Sequence, residues 1–265
     1  MNCGIQRPTP LLNMGNTCYM NAVLQLLLRC EKAFHNLTFR LSSSTDSSIF
    51  KEWNLFLSYY NHPSQSSIGL DSIRRMFLIK NQKSEFLTNS PGDAHEFLMA
   101  FLNMLQDELE HITQTTNTWM SDYFLFDVQR YPSKDRQKEL VMVVSVDKNL
   151  LHSIETWFEN GQNRIYQFPP YLFILVSRYQ GHSLKKIETP IEIPLQLYLE
   201  KTIYHWKGSI IHQGSSIHGG HYVTLLQTAN QKIYQCDDDR VHEIHPTNLH
   251  SLLTQSYIIM YEKKE

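Results

Sequence analysis

The chain is predicted to fold as an α+β protein, with helices in its first 115 residues and strands in the remainder. In the first part apolar residues recur at helical spacing; in the second, β-branched and aromatic runs are broken by turn residues; the change happens once, near residue 120. At 265 residues, 42% of them hydrophobic, the chain can bury a large core, and its length fits one large domain or two subdomains sharing a cleft. A helical half followed by a sheet-rich half places a site most naturally between them.

The first helix is expected over 18–30. Gly15, Asn16 and Thr17 supply a turn and a capping oxygen, and Met20, Val23, Leu24 and Leu27 fall at the spacing of one buried face. Two further helices are read over 50–60 and 70–79, with the Ser-rich segment 42–48 as a connector. A fourth spans 90–111: Ser90 is its expected N-cap, Pro91 takes the favoured first position, and Asp93 is an acid in the first turn. Its apolar face is Ala94, Phe97, Leu98, Phe101, Leu102 and Leu105. The polar segment 131–138 reads as a turn. Strands are expected over 141–146, 171–176, 209–212, 222–226, 233–236 and 257–261, and no internal repeat is found.

Composition narrows the function. With 24 basic and 26 acidic residues the net charge is -2, so no global basic field points to nucleic acid or an anionic membrane, and a protein or small-molecule partner is expected. The first ten residues hold no apolar signal region, and the strongest apolar run, 23–28, is too short to span a bilayer. The four cysteines form no CxxC pair and no regular framework, which fits a reducing compartment, cytosol or nucleus. Asn36-Leu37-Thr38 matches a glycosylation sequon but has no secretory context.

Cys18 stands where a loop turns into a helix, and helix N-termini favour thiolate over thiol, so Cys18 is the candidate nucleophile. A cysteine packed as a small hydrophobe is the plainer alternative. A nucleophilic cysteine needs a base, usually an imidazole oriented by a carboxylate or amide. Of thirteen histidines, His221 is distinguished by its place after Gly219 and Gly220 at the opening of a strand. Sixteen residues on, Asp237, Asp238 and Asp239 follow a short strand. Two antiparallel neighbours joined by a turn at 229–231 would set His221 beside Asp237. A metal site built from His218, His221 and these aspartates is disfavoured, because consecutive side chains diverge along a strand. No cofactor is expected.

These segments together resemble the ubiquitin-specific protease family. Asn13-x-Gly15-Asn16-Thr17-Cys18-Tyr19-Met20-Asn21 is similar to its cysteine box and Gly220-His221-Tyr222-Val223 to its histidine box. Asp93-Ala94-His95-Glu96-Phe97-Leu98 resembles its middle motif, the stretch from Tyr171 to Tyr179 its hydrophobic strand ending in Arg-aromatic, and Asp237-Asp238-x-x-Val241 its terminal acidic box. The resemblance implies a single papain-like catalytic domain over 1–265: a helical thumb to about 115, short β fingers and the start of the palm over 116–170, and a β palm over 171–265. It implies a thiol isopeptidase acting on ubiquitin conjugates. Cys18 would be the nucleophile, His221 the base and acid, Asp237 the residue that orients the imidazole, Asp238 its helper or substitute, and Asn13 the oxyanion donor. Asp93, Glu96, Gly219, Gly220 and Tyr222 would meet the substrate tail, although Asp93 and Glu96 also suit a plain helix start. The enzyme would act as a monomer, with a protein adaptor as a partner.

The sequence departs from that pattern in places. The family's paired CxxC motifs in the fingers have no counterpart, since 116–170 contains no cysteine. Pro91-Gly92 replaces two glutamines, and Cys236 an aromatic residue. The short fingers leave another modifier such as SUMO, or a ubiquitin-binding regulatory module, as alternatives.

Overall fold

The computed structural model describes residues 7–40, 49–61, 67–80, 92–114, 119–160, 162–179, 185–216 and 219–264. The helical part comprises α1 (Cys18–Leu27), α2 (Glu31–Arg40), α3 (Ile49–Asn61), α4 (Asp71–Lys80), α5 (Ala94–Thr113) and α6 (Trp119–Tyr123). A hairpin of β1 (Phe126–Arg130) and β2 (Arg136–Glu139) follows, then β3 (Val141–Ser145), α7 (Leu150–Asn160), β4 (Asn163–Gln167) and β5 (Tyr171–Ser177). The remainder is β6 (Gln196–Leu199), β7 (Thr202–Ser216), β8 (Gly219–Gln227), β9 (Ile233–Asp237), β10 (Arg240–Glu243), α8 (Pro246–Leu253) and β11 (Ser256–Lys263).

The α+β expectation holds, with several differences in its parts. The first helix stops at Leu27 and a second begins at Glu31, with Cys30 between them. The fourth expected helix starts later than Ser90, because Asp93 is the N-cap: its carboxylate accepts from the amides of His95 and Glu96. Ser90, Pro91 and the Ser-rich connector lie outside the described residues. Thr17 does not cap α1 with its side chain. Its hydroxyl accepts from the Met14 amide at 2.8 Å and donates to Asn13 Oδ1 at 3.3 Å, so it ties the preceding loop together. The turn read at 131–138 is shorter, since β2 begins at Arg136, and α7 and α8 were not anticipated.

Two sheets organise the strands. The small one has the order β2-β1-β4; the large one runs β10-β9-β8-β7-β11-β5-β3, with β6 on β7. The β3–β5 pair is parallel. Alternation along the central strands divides two cores: Phe173 and Leu175 of β5 and Ile258 and Met260 of β11 face the helices, while Leu172, Ile174, Val176, Ile259 and Tyr261 face the opposite layer with α7 and α8. Burial on both faces explains why 171–176 reads as a continuous apolar run.

α1 lies between α5 and the large sheet, and every one of its ten residues is buried. Its polar members are therefore bonded. Gln25 donates to the Thr9 carbonyl at 2.8 Å and accepts from the Tyr60 hydroxyl at 2.6 Å, and Thr224 of β8 donates to the Ala22 carbonyl at 2.9 Å. Gly208 lets β7 approach this helix, since an added Cβ would lie 2.6 Å from Leu26 Cδ1. Close packing of α1 on β7 and β8 carries the start of the helix to the end of the sheet where Cys18 meets the palm. No helix among the described residues is long and apolar enough to cross a membrane.

Candidate active site

Cys18 is the first residue of α1 and is buried, with 7% of its surface exposed. The loop before it is set by backbone geometry: Gly15 and Asn16 have φ of 89° and 53°, and the Asn13 carbonyl oxygen, Oδ1, accepts from the amides of Gly15 (3.0 Å) and Thr17 (3.2 Å). Those donors fix the orientation of the Asn13 side chain, because a flipped amide would turn N–H groups toward N–H groups.

Across the interlayer boundary, β8 carries His221 and β9 ends at Asp237. The two strands are antiparallel neighbours, as expected, and His221 Nε2 donates to Asp237 Oδ1 at 2.6 Å. That bond leaves Nδ1 as the ring nitrogen available to the Cys18 sulfur. The His221 imidazole is pushed up to about 9. Its hydrogen bond with Cys18 is the largest cause; burial opposes the rise, and the Asp237 bond and nearby negative charge add to it. Cys236, by contrast, is fully buried beside Leu226 and Tyr234, and burial pushes its thiol up to about 12.

Asp238 is occupied differently from expectation. Its φ of 50° turns the chain out of the strand, and its carboxylate lies 3.9 Å from His221 Nε2, beyond hydrogen-bond range. Instead Oδ2 accepts from Asn13 Nδ2 and Oδ1 from Asn21 Nδ2, each at 2.7 Å. Asn21, three residues into α1 after Cys18, also reaches the carbonyls of Leu11 (3.4 Å) and Leu12 (3.2 Å). The same turn brings His221, Asp237 and Asp238 to within 4.8 Å of one another, so these aspartates converge instead of diverging. Three of their four oxygens are already committed to His221, Asn13 and Asn21, which leaves a poor donor set for a cation.

Asp93 is engaged as fully on the other side. Oδ1 accepts from the His95 and Glu96 amides at 2.8 and 3.1 Å, and Oδ2 from the hydroxyls of Tyr222 (3.0 Å) and Tyr257 (2.9 Å). Tyr222 is buried, so Asp93 and Tyr222 hold thumb to palm and do not present free groups to a substrate tail. Glu96, Gly219 and Gly220 are exposed. β7 runs to Ser216 and β8 starts at Gly219, and these two residues pair after a register shift. Sequence reasoning assigned no role to Asn21, His212, Tyr179 or Tyr257.

A helical thumb bearing a cysteine, packed on a β palm bearing a paired histidine and aspartate, is the arrangement of the papain-like α+β class. A family model for ubiquitin carboxyl-terminal hydrolases matches residues 9–261, and the chain belongs to that family. It is 23% identical to the mouse ubiquitin carboxyl-terminal hydrolase 17-like protein B, over 98% of this chain and 63% of the relative. It is 24% identical to the probable ubiquitin carboxyl-terminal hydrolase 16 of Schizosaccharomyces pombe, over 96% and 66%. The chain thus spans slightly under two thirds of the length of these relatives. In structure it is similar to Ubp8 of the SAGA DUB module, bound to monoubiquitin with Sgf11, Sus1 and Sgf73, at a TM-score of 0.79 and 19% identity over 97% of this chain and 69% of that one. The same module bound to ubiquitin aldehyde gives a TM-score of 0.76 at 17% identity, over 100% and 72%.

Proposed function

We propose that the chain is a deubiquitinase, a thiol isopeptidase that cleaves the bond between the C-terminal glycine of ubiquitin and an amine through a thioester at Cys18. The observation that carries this reading is the pairing of Cys18, at the start of α1, with a half-buried His221 whose other ring nitrogen Asp237 holds at 2.6 Å. Family membership supports ubiquitin as the modifier.

The Cys18 sulfur attacks the glycine carbonyl carbon, and the carbonyl electrons move to oxygen. Asn13 Nδ2 has one hydrogen on Asp238 and a second for that oxyanion, a contact that strengthens as charge develops. Collapse breaks the carbon–nitrogen bond while the His221 imidazolium protonates the leaving amine. Water, deprotonated by the now neutral His221, then attacks the thioester; the carbon–sulfur bond breaks, and ubiquitin leaves with a free carboxylate as His221 regains its imidazolium form. Asp237 keeps Nδ1 directed at the sulfur throughout.

The exposed Gly219 and Gly220 and the acid Glu96 suit a narrow channel for a Gly-Gly tail with basic residues behind it. The enzyme is read as a monomer, and an adaptor of the kind seen with Ubp8 is compatible with the small fingers sheet. Cys18, Cys30 and Cys236 are free thiols, in keeping with cytosol or nucleus. Ubiquitin and SUMO carrying electrophilic C-termini test the reading together: ubiquitin should form a covalent adduct at Cys18. Adduct with SUMO alone would change the modifier, and adduct with neither, on folded protein, would remove the protease reading.

A further inference from the structure

Behind the glycine pair lies an imidazole that the reaction above does not use. His212 of β7 is only 2% exposed. Its Nδ1 is hydrogen-bonded to the Tyr179 hydroxyl at 2.5 Å, and its ring sits 4.6 Å from that of Tyr222, tilted by 46°. The backbone carbonyl of His212 accepts from the buried Lys186 ammonium. Burial, the largest cause, and the Lys186 charge push the imidazole down to about 4, so it stays neutral at physiological pH; Asp93 opposes this shift and His221 adds to it.

The far edge of this ring meets Gly220. A Cβ added there would fall 2.4 Å from His212 Nε2 and 2.7 Å from Cε1, with the Gln213 carbonyl at 2.5 Å. Gly220 also has a φ of +156°, which glycine adopts without strain. The ladder is irregular here, shifting register between Gln213 and Ser216, so main-chain pairing alone does not set the height of the tip. His221, one residue on, is fixed separately by Asp237.

We propose that His212 is a positioning residue for the substrate channel: its ring is the floor on which Gly220 rests, and Tyr179 locks that floor beneath the glycine pair. The inference rests on the deubiquitinase reading, since a Gly-Gly tail is what the pair would receive. Removing the floor lets Gly219 and Gly220 sink without disturbing the Cys18–His221 pair, so the effect falls on substrate binding.

Steady-state hydrolysis of a ubiquitin C-terminal fluorogenic amide, alongside the rate of Cys18 alkylation by iodoacetamide across pH, separates these effects. His212→Ala should raise KM by about tenfold with kcat nearly unchanged, and Tyr179→Phe, which loses only the hydroxyl, by about threefold. His212→Gln, which restores a planar polar group beneath Gly220, should recover part of the loss. The alkylation rate and its pH midpoint should match wild type in all three. Unchanged KM in folded variants would overturn the inference, as would an alkylation profile that moves together with turnover. Should His212→Ala fail to fold, Tyr179→Phe and His212→Gln decide the matter. A wild-type protein inert toward the ubiquitin substrate would overturn the functional reading and this inference with it, whereas active wild type with unaffected variants overturns the inference alone.

Discussion

Two aspartates flank the Cys18–His221 pair, and they brace it in opposite directions. Asp238 belongs to the palm and holds two thumb amides, Asn13 and Asn21. Asp93 belongs to the thumb and holds two palm hydroxyls, Tyr222 and Tyr257. The first brace ends on the loop that would carry the oxyanion donor, and the second ends in a buried aromatic cluster behind the site. Their difference teaches that one kind of residue, joining the same two layers, can serve chemistry at one end of a cleft and cohesion at the other.

The largest effect expected at the site is the loss of its nucleophile. Cys18→Ala should abolish hydrolysis while leaving the fold intact by circular dichroism; surviving turnover would remove Cys18 from the mechanism. Next, Asp238→Ala should lower kcat by about a hundredfold, near the lower end of what deleting an oxyanion donor does, because the Asn13 amide nitrogen loses its anchor while only the Oδ1 side stays held. Asp93→Ala should act mainly on stability. It removes an N-cap and takes the acceptor from two buried hydroxyls, a loss of about 2–4 kcal/mol in urea unfolding, with kcat changed far less than by Asp238→Ala. If the two variants show the same pattern, the distinction between the braces fails.

Smaller and more graded effects are expected from pH. Activity should fall as pH rises through about 9, where His221 gives up the proton that the leaving amine needs. The same group affects stability. Its folded value lies above the usual 6.5, so its contribution is complete below 6.5 and is lost as pH rises through about 9. His212 has the opposite sign: its folded value of about 4 lies below 6.5, so its neutral burial stabilises above 6.5, and that stability is lost as pH falls toward 4. Urea midpoints measured across pH should therefore decline on both sides of neutrality. In Cys18→Ala the alkaline decline should shrink, since the largest cause of the His221 shift is gone.

The parts of this molecule legible in the sequence are those whose reasons are local. Cys18 follows a turn signal, His221 follows two glycines, and Asp237 lies one hairpin away, so adjacent-strand pairing alone brings the last two together. The strand at 171–176 and the apolar face of α5 follow from period and length. Less legible were α2, α7 and α8, whose short amphipathic patterns abut other elements, and the small β2-β1-β4 sheet, whose strands have only four or five residues each. The uses of Asp93 and Asp238 were hidden for a different reason. Tyr222 and Tyr257 lie 129 and 164 residues from Asp93, and Asn13 lies 225 from Asp238. No pattern in a window reports such pairs, nor the positive φ that turns Asp238 away from His221 and toward the thumb.

Acid-quenched single turnover of a ubiquitin amide substrate tests the central claim most directly. Peptide mapping of the quenched protein should find ubiquitin joined through its terminal glycine to Cys18 in a bond that hydroxylamine releases, with Cys30 and Cys236 unmodified. Turnover without any such thioester, or a thioester on another cysteine, would contradict the account.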